Sequence, residues 1–189
     1  MPLPKQKDYT IEDIYALPDG KQEELIDGRI YSEAPPSRTH QQIVAELTTI
    51  IREHIKKNGG ECEAIPSPFA VFLDSLKDKK QNYVEPDISV ICDKRKLDDK
   101  GCHGAPDWVI EVVSPSSRKR DYGRKQTLYL DNAVKEYWVV DAARLTVTVY
   151  SLMDDWIPSI YGFSDKVKVG IYEDLEIDFA EVKKVIDEK

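Results

Sequence analysis

No stretch of this chain approaches the roughly 20 consecutive apolar residues that a membrane-spanning helix needs. The opening MPLPKQKDYT lacks the apolar segment of a secretory signal, so the cytoplasm is the expected location. Cysteine is scarce. Cys62, Cys92 and Cys102 are an odd count with no CxxC spacing, which argues against a disulfide framework. Cys102-His103 has no second ligand pair at zinc-like spacing and reads as loop. Positive charge is also in deficit, with 27 basic against 35 acidic residues and a net charge of −8. That balance disfavours a protein that coats nucleic acid nonspecifically by neutralising phosphates. It leaves room for a local basic patch beside an acidic metal site. Repeats, low-complexity segments and long linkers are absent, and 189 residues point to a single domain over 1–189.

What is present is an alternation of short strand and helix signals. IEDIYAL after Thr10 reads as a short capped helix with an acidic first turn. EELIDGRIYSEA holds two strand-like runs around Asp27-Gly28, a pair suited to a tight hairpin because both tolerate positive φ. Ser37 can cap a long helix running to about Lys57, with Gly59 as its stop signal. Ile43, Val44, Leu47, Ile50, Ile51 and Ile55 give that helix one apolar face. The chain is then extended from Glu61 to Leu73. VEPDISVICD and PDWVIEVVSP read as core strands, SSRKRDYGRKQTLYLDNA as a helix, and KEYWVVD as a further strand. RLTVTVYSL alternates like a half-buried strand. SLKDKKQN and KRKLDDKGCHG read as polar loops, and Trp156 to Lys189 as short strands before a terminal helix. The layout is α/β, a mixed sheet with helices at both ends. Tyr137, Trp138 and Tyr150 read as core or interface aromatics rather than base-stacking groups.

One residue conflicts with this pattern. PDWVIEVVSP carries Glu111 in the middle of an apolar, proline-bounded run, and an unpaired buried carboxylate costs several kcal/mol. Period-two alternation puts Asp107, Val109, Glu111 and Val113 on one face of the strand. Asp87 lies in the preceding strand, so on adjacent strands Asp87 and Glu111 can converge on one point. Two converging carboxylates repel, and a divalent cation resolves the repulsion. Mg²⁺ takes one or two carboxylates and completes its octahedron with water and phosphate oxygens.

EPDISV, then GAPDWVIEVVSPSSRKRDYGRK, then NAVKEYWVVD resemble the Uma-type restriction endonuclease family, a branch of the PD-(D/E)XK nuclease superfamily. EELIDGRIY and APPSRTHQQIVAEL are similar to its N-terminal blocks. The resemblance runs from about Thr10 to Tyr150 and fades beyond. It implies a restriction-endonuclease-like fold, a mixed central sheet flanked by helices, with an Mg²⁺- or Mn²⁺-dependent site that hydrolyses DNA phosphodiester bonds. Asp87 and Glu111 then take the two carboxylate positions, with the carbonyl of Val112 as a further candidate ligand. Pro106-Asp107 is a rival PD pair, but four residues cannot place Asp107 and Glu111 on separate strands, so Asp107 is assigned an accessory role.

The superfamily lysine position is occupied here by Val113, a departure. The resemblance places a lysine on the following helix instead, at Lys125, in a stripe with Tyr122 and Tyr129. Glu24 and His40 are accessory candidates from the N-terminal blocks. Asp121 can cap the helix or pair with Lys125. Arg118, Lys119, Arg120 and Arg124 form a basic cluster that either contacts backbone phosphates or is a solvated loop and helix start. A homodimer is expected of an enzyme that cuts both strands of a duplex. A nonenzymatic DNA-binding or assembly module on a nuclease fold is the alternative, favoured by Val113 and the acidic charge. RNA and branched substrates are not separated from duplex DNA by the sequence.

Overall fold

The computed structural model describes residues 8–18, 22–74 and 81–188. Helix α1 (Ile11–Tyr15) begins at Thr10, whose N–H is taken by Asp13 at 2.9 Å. Strands β1 (Glu23–Ile26) and β2 (Arg29–Ser32) form the expected hairpin, with Asp27 and Gly28 at φ 51° and 71°. Helix α2 (Arg38–Lys57) is capped by Ser37, which accepts from the His40 N–H. The short strands β3 (Glu63–Pro66), β4 (Val71–Asp74), β5 (Gln81–Val84) and β6 (Ile88–Ile91) follow. Next come β7 (Leu97–Asp98), β8 (Gly101–His103) and β9 (Trp108–Val112).

The connection after β9 is helical, a π turn (Arg120–Lys125) running into α3 (Gln126–Asp131). Strands β10 (Glu136–Asp141), β11 (Thr146–Ser151), β12 (Ser159–Gly162), β13 (Lys166–Lys168) and β14 (Glu176–Asp178) lead to α4 (Phe179–Asp187). Among the described residues no helix is long and apolar enough to cross a membrane.

The expected mixed sheet is central, in the order β12-β11-β10-β9-β6-β3, with β9 and β10 parallel. Trp108, Ile110 and Val112 on β9 and Trp138 and Val140 on β10 face Ile43, Leu47 and Ile51 of α2 and Phe179 and Val182 of α4. The opposite face of these strands carries Val109, Tyr137 and Val139. It packs on Leu128 and Tyr129 of α3 and on Ile26, Val71, Leu73 and Val84. The latter belong to a second six-stranded sheet, β2-β1-β5-β4-β8-β7, which the sequence reading did not separate from the first. With both faces covered, β11 is buried from Val147 to Ser151, so it is not the half-buried strand its alternation suggested.

Three local features differ from the sequence expectations. VEPDISVICD is not one strand: Val84 ends β5 in the second sheet and Ile88 begins β6 in the central one. Pro86 lacks the N–H a continuing ladder would need, and the chain changes sheet across Glu85-Pro86-Asp87. KRKLDDKGCHG is not simply loop, because β7 and β8 pair there and Cys102 is buried. Gly101 is required at that point, since a Cβ on it would stand 2.4 Å from the Ala70 carbonyl oxygen.

Finally, Cys62 and Cys92 form a disulfide, against the expectation from their count. They flank the paired residues Glu63 and Ile91, so β3–β6 pairing brings together cysteines 30 residues apart that carry no spacing signature. Closing a loop of that length removes unfolded-chain entropy worth about 3–4 kcal/mol. Reduction with dithiothreitol, or Cys62→Ser, should therefore lower unfolding stability by about that amount in a urea titration. An unchanged midpoint would mean the bridge adds nothing to the native state.

Candidate active site

The strand crossing at Pro86 and the C-terminal end of β9 meet at a cleft of about 120 Å³. Its walls include Glu24 from β1, His40 from α2, Asp87 from the sheet crossing, Glu111 and Val112 from β9, and Lys125 from the π turn. Asp87 Oδ2 accepts the Val112 N–H at 2.7 Å and stands 3.2 Å from His40 Nε2. The Asp87 carbonyl accepts the Ser67 N–H at 3.0 Å, tying the aspartate to the end of β3. Asp87 stands just before β6, outside the strand in which the sequence placed it, and shares this cleft with Glu111 of the neighbouring β9.

Glu111 is 3% exposed, and its Oε1 accepts both Lys125 Nζ and Tyr129 OH at 2.8 Å. The same ammonium is 2.8 Å from Glu24 Oε1, which also accepts the Glu85 N–H at 3.1 Å. Lys125, delivered from the helix, thus places its ammonium beside Glu111. The π turn contributes to that delivery. Lys125 closes it and Tyr129 follows four residues later on the same side of the helix, so both meet Glu111. Within it the Asp121 carbonyl accepts Tyr137 OH at 3.0 Å.

Electrostatics follow from burial. Glu111 has its pKa raised well above the usual carboxylate value by desolvation, which the Lys125 charge only partly offsets, while Asp87, Asp121 and Glu24 add repulsion. Burial also disfavours charge on Lys125, but Glu111, Glu24 and Asp121 outweigh it and hold the ammonium well above its ordinary value. Asp121, buried and bonded by Ser117 Oγ at 2.6 Å, is pushed up to about 6 by desolvation. Burial opposes protonation of His40, yet the hydrogen bond and charge of Asp87 prevail and raise its pKa. Glu33, half-buried beside Glu24, is raised to about 7, chiefly by desolvation.

The remaining sequence candidates separate by position. Asp107 lies at the other end of β9, where Lys135 Nζ at 2.6 Å and the Cys92 N–H at 2.8 Å take its oxygens, so it is not part of the cleft. The basic cluster divides. Arg120 turns inward, buried, onto Glu33 and to within 3.5 Å of Glu24, and is not available to a phosphate. Arg118 pairs with buried Asp141. Lys119 and Arg124 are exposed, Arg124 lying 5.6 Å over the Tyr31 ring. Sequence reasoning missed Tyr129, Glu33 and Ser117 as members of the site. Tyr129 was detectable as the one aromatic a full turn after Lys125; Glu33 and Ser117 carried no periodic signal.

Among the described residues, no three His, Cys, Asp or Glu side chains are grouped closely enough to hold a metal ion alone. That excludes a zinc-type cage among them. The donor set does fit a hard cation that needs only one or two carboxylates and keeps its waters. No described residue donates a hydrogen bond to Asp87 Oδ1 or Glu111 Oε2, and Glu24 Oε2 is buried without a hydrogen-bond partner.

The Uma2 family profile, described as "Putative restriction endonuclease", matches residues 11–180. An uncharacterised protein of Synechocystis is 32% identical over 149 residues, covering 77% of this chain and 75% of that one. A crystal structure from Anabaena variabilis, described as a "putative nuclease belonging to DUF820", superposes with a TM-score of 0.75. It covers 94% of this chain and 98% of its own at 20% identity, a likeness of fold.

Lys125 is the ammonium shared by two buried carboxylates. Lys125→Met should destabilise the protein by about 3–5 kcal/mol in urea unfolding, with part of the loss recovered in Lys125→Met/Glu111→Gln. A loss below about 1 kcal/mol would show that the carboxylates are already neutral and do not depend on the lysine.

Proposed function

The chain belongs to the Uma2 family of restriction-endonuclease-like proteins, and on that footing we propose that it is a metal-dependent endonuclease hydrolysing DNA phosphodiester bonds. One observation carries the reading: Asp87 and Glu111 open into one cleft, with a buried lysine bonded to the second of them at 2.8 Å. Asp87 and Glu111 would hold Mg²⁺ or Mn²⁺, with the Val112 carbonyl, Glu24 and His40 as accessory groups. A bound cation supplies Lewis-acid activation of a water nucleophile and offsets charge growing on the phosphodiester.

The protein's own groups have separable tasks. Lys125 donates to Glu111 and is ion-paired with Glu24, which leaves it donor capacity to orient the nucleophile or a phosphate oxygen. Asp87 is held by the Val112 amide, so the two strands keep the carboxylates in register. The cleft, at about 120 Å³, is well below the roughly 300 Å³ of pockets that engulf small ligands. It therefore suits a phosphate group and waters presented by a strand lying outside. Lys119 and Arg124 are the exposed cations of the 118–124 cluster that can meet neighbouring backbone phosphates. A homodimer would supply the second site that cutting both strands requires.

A plasmid assay with Mg²⁺ or Mn²⁺ tests this directly. Wild type should nick or linearise the DNA, chelation should stop it, and Glu111→Ala and Lys125→Ala should each lose at least about 100-fold in rate, the scale of removing one transition-state donor. Loss in Glu111→Ala alone would remove Lys125 from the chemistry. Inactivity of wild type together with calorimetry showing no metal uptake would instead favour a nonenzymatic DNA-binding or assembly module.

A further inference from the structure

The hydrogen bonding of Glu111 is lopsided. Both donors that reach it, Lys125 Nζ and Tyr129 OH, go to the same oxygen, Oε1, at 2.8 Å each. No described residue donates to Oε2, although Glu111 lines the cleft. Two donors converging on one oxygen fix the carboxylate plane and partly neutralise that oxygen. The other oxygen is left as the electron-rich atom without a donor from the described residues.

Lys125 alone could not do this. Its ammonium is also drawn to Glu24 Oε1, and a four-carbon stem lets it swing between the two acids. The Tyr129 hydroxyl has no such freedom. The residue is fully buried, its ring packs on Tyr137 with centroids 4.8 Å apart, and Tyr137 in turn is bonded through its hydroxyl to the Asp121 carbonyl of the π turn. An aromatic ring has two side-chain torsions, and packing locks both. Full burial also means that Tyr129 cannot touch a substrate.

We infer that Tyr129 is a positioning residue, holding Glu111 by Oε1 so that Oε2 is presented to a divalent cation. This rests on the metal reading of the cleft. Groups that orient a ligating carboxylate without touching the cation typically govern metal affinity by about 10–100-fold. Replacing the phenol by phenyl keeps the ring, its packing and Lys125, and removes one donor only.

The experiment compares wild type, Tyr129→Phe and Leu73→Ala by Mn²⁺ calorimetry on metal-free protein and by thermal melting. Leu73 is buried in the same core, so its truncation loosens packing while both donors to Glu111 are kept. Tyr129→Phe should raise the Mn²⁺ Kd by about tenfold or more, while Leu73→Ala lowers the melting temperature further yet leaves the Kd within about twofold of wild type. In plasmid cleavage Tyr129→Phe should lower kcat with KM for DNA unchanged. An unaltered Kd in Tyr129→Phe overturns the inference and leaves the metal site standing. So does a weakening in both variants that tracks their loss of stability, since that is a packing effect. A wild type that takes up no Mn²⁺ overturns the metal reading and the inference with it.

Discussion

The ammonium of Lys125 is the contact on which the site depends. It lies buried between Glu24 of the second sheet and Glu111 of the central sheet, 2.8 Å from each. Burial makes that arrangement costly for every partner, because none of the charges can be met by bulk water. It is tolerated because each acid has a further donor: Glu85 N–H for Glu24, Tyr129 for Glu111. Carboxylates still outnumber cations around it, with Glu33, Glu85, Asp87 and Asp121 close by and Arg120 and His40 as the other positive or protonatable groups. Such an excess of desolvated carboxylates is relieved in part by protonation, which is the direction in which burial shifts Glu111, Asp121 and Glu33.

The same lysine joins two layers of structure. Glu24 and Glu111 belong to different six-stranded sheets, and the chain passes from one sheet to the other beside them, at Pro86. The cleft is thus a seam between sheets, closed on one side by α2 and on the other by the π turn. Residues from five separate segments, β1, α2, the sheet crossing, β9 and the π turn, reach it. A rigid scaffold of this kind allows carboxylates to be placed within hydrogen-bond reach without long flexible loops.

Much of this was legible in the sequence, and the reasons differ by element. The face of β9 could be read because strand alternation has a period of two, so Glu111 had to oppose Trp108, Ile110 and Val112. Ser37, Asp27 and Gly28 announced their helix start and hairpin through backbone chemistry that is local. What escaped was non-local. Strands of four residues give too little pattern to assign to one sheet or another, so the second sheet went unseen. The Cys62–Cys92 bridge depends on β3–β6 register, which spacing does not encode. Arg120 resembled its exposed neighbours in composition, and only the π turn decided that it faces inward. Asp107 shares a face with Glu111, but alternation cannot say which end of a strand carries the site.

The π turn makes the site sensitive to the exact length of one segment. A turn of that kind is one residue longer than the α-helical turn it replaces. Removing a residue from 120–125 would restore ordinary helix and rotate everything beyond it by about 100° relative to everything before. Lys125 and Tyr129 would then be turned away from Ser117 and Asp121. The meeting of Lys125 with Asp121 beside Glu111 is therefore bound to the length of segment 120–125, and a one-residue deletion there would separate them.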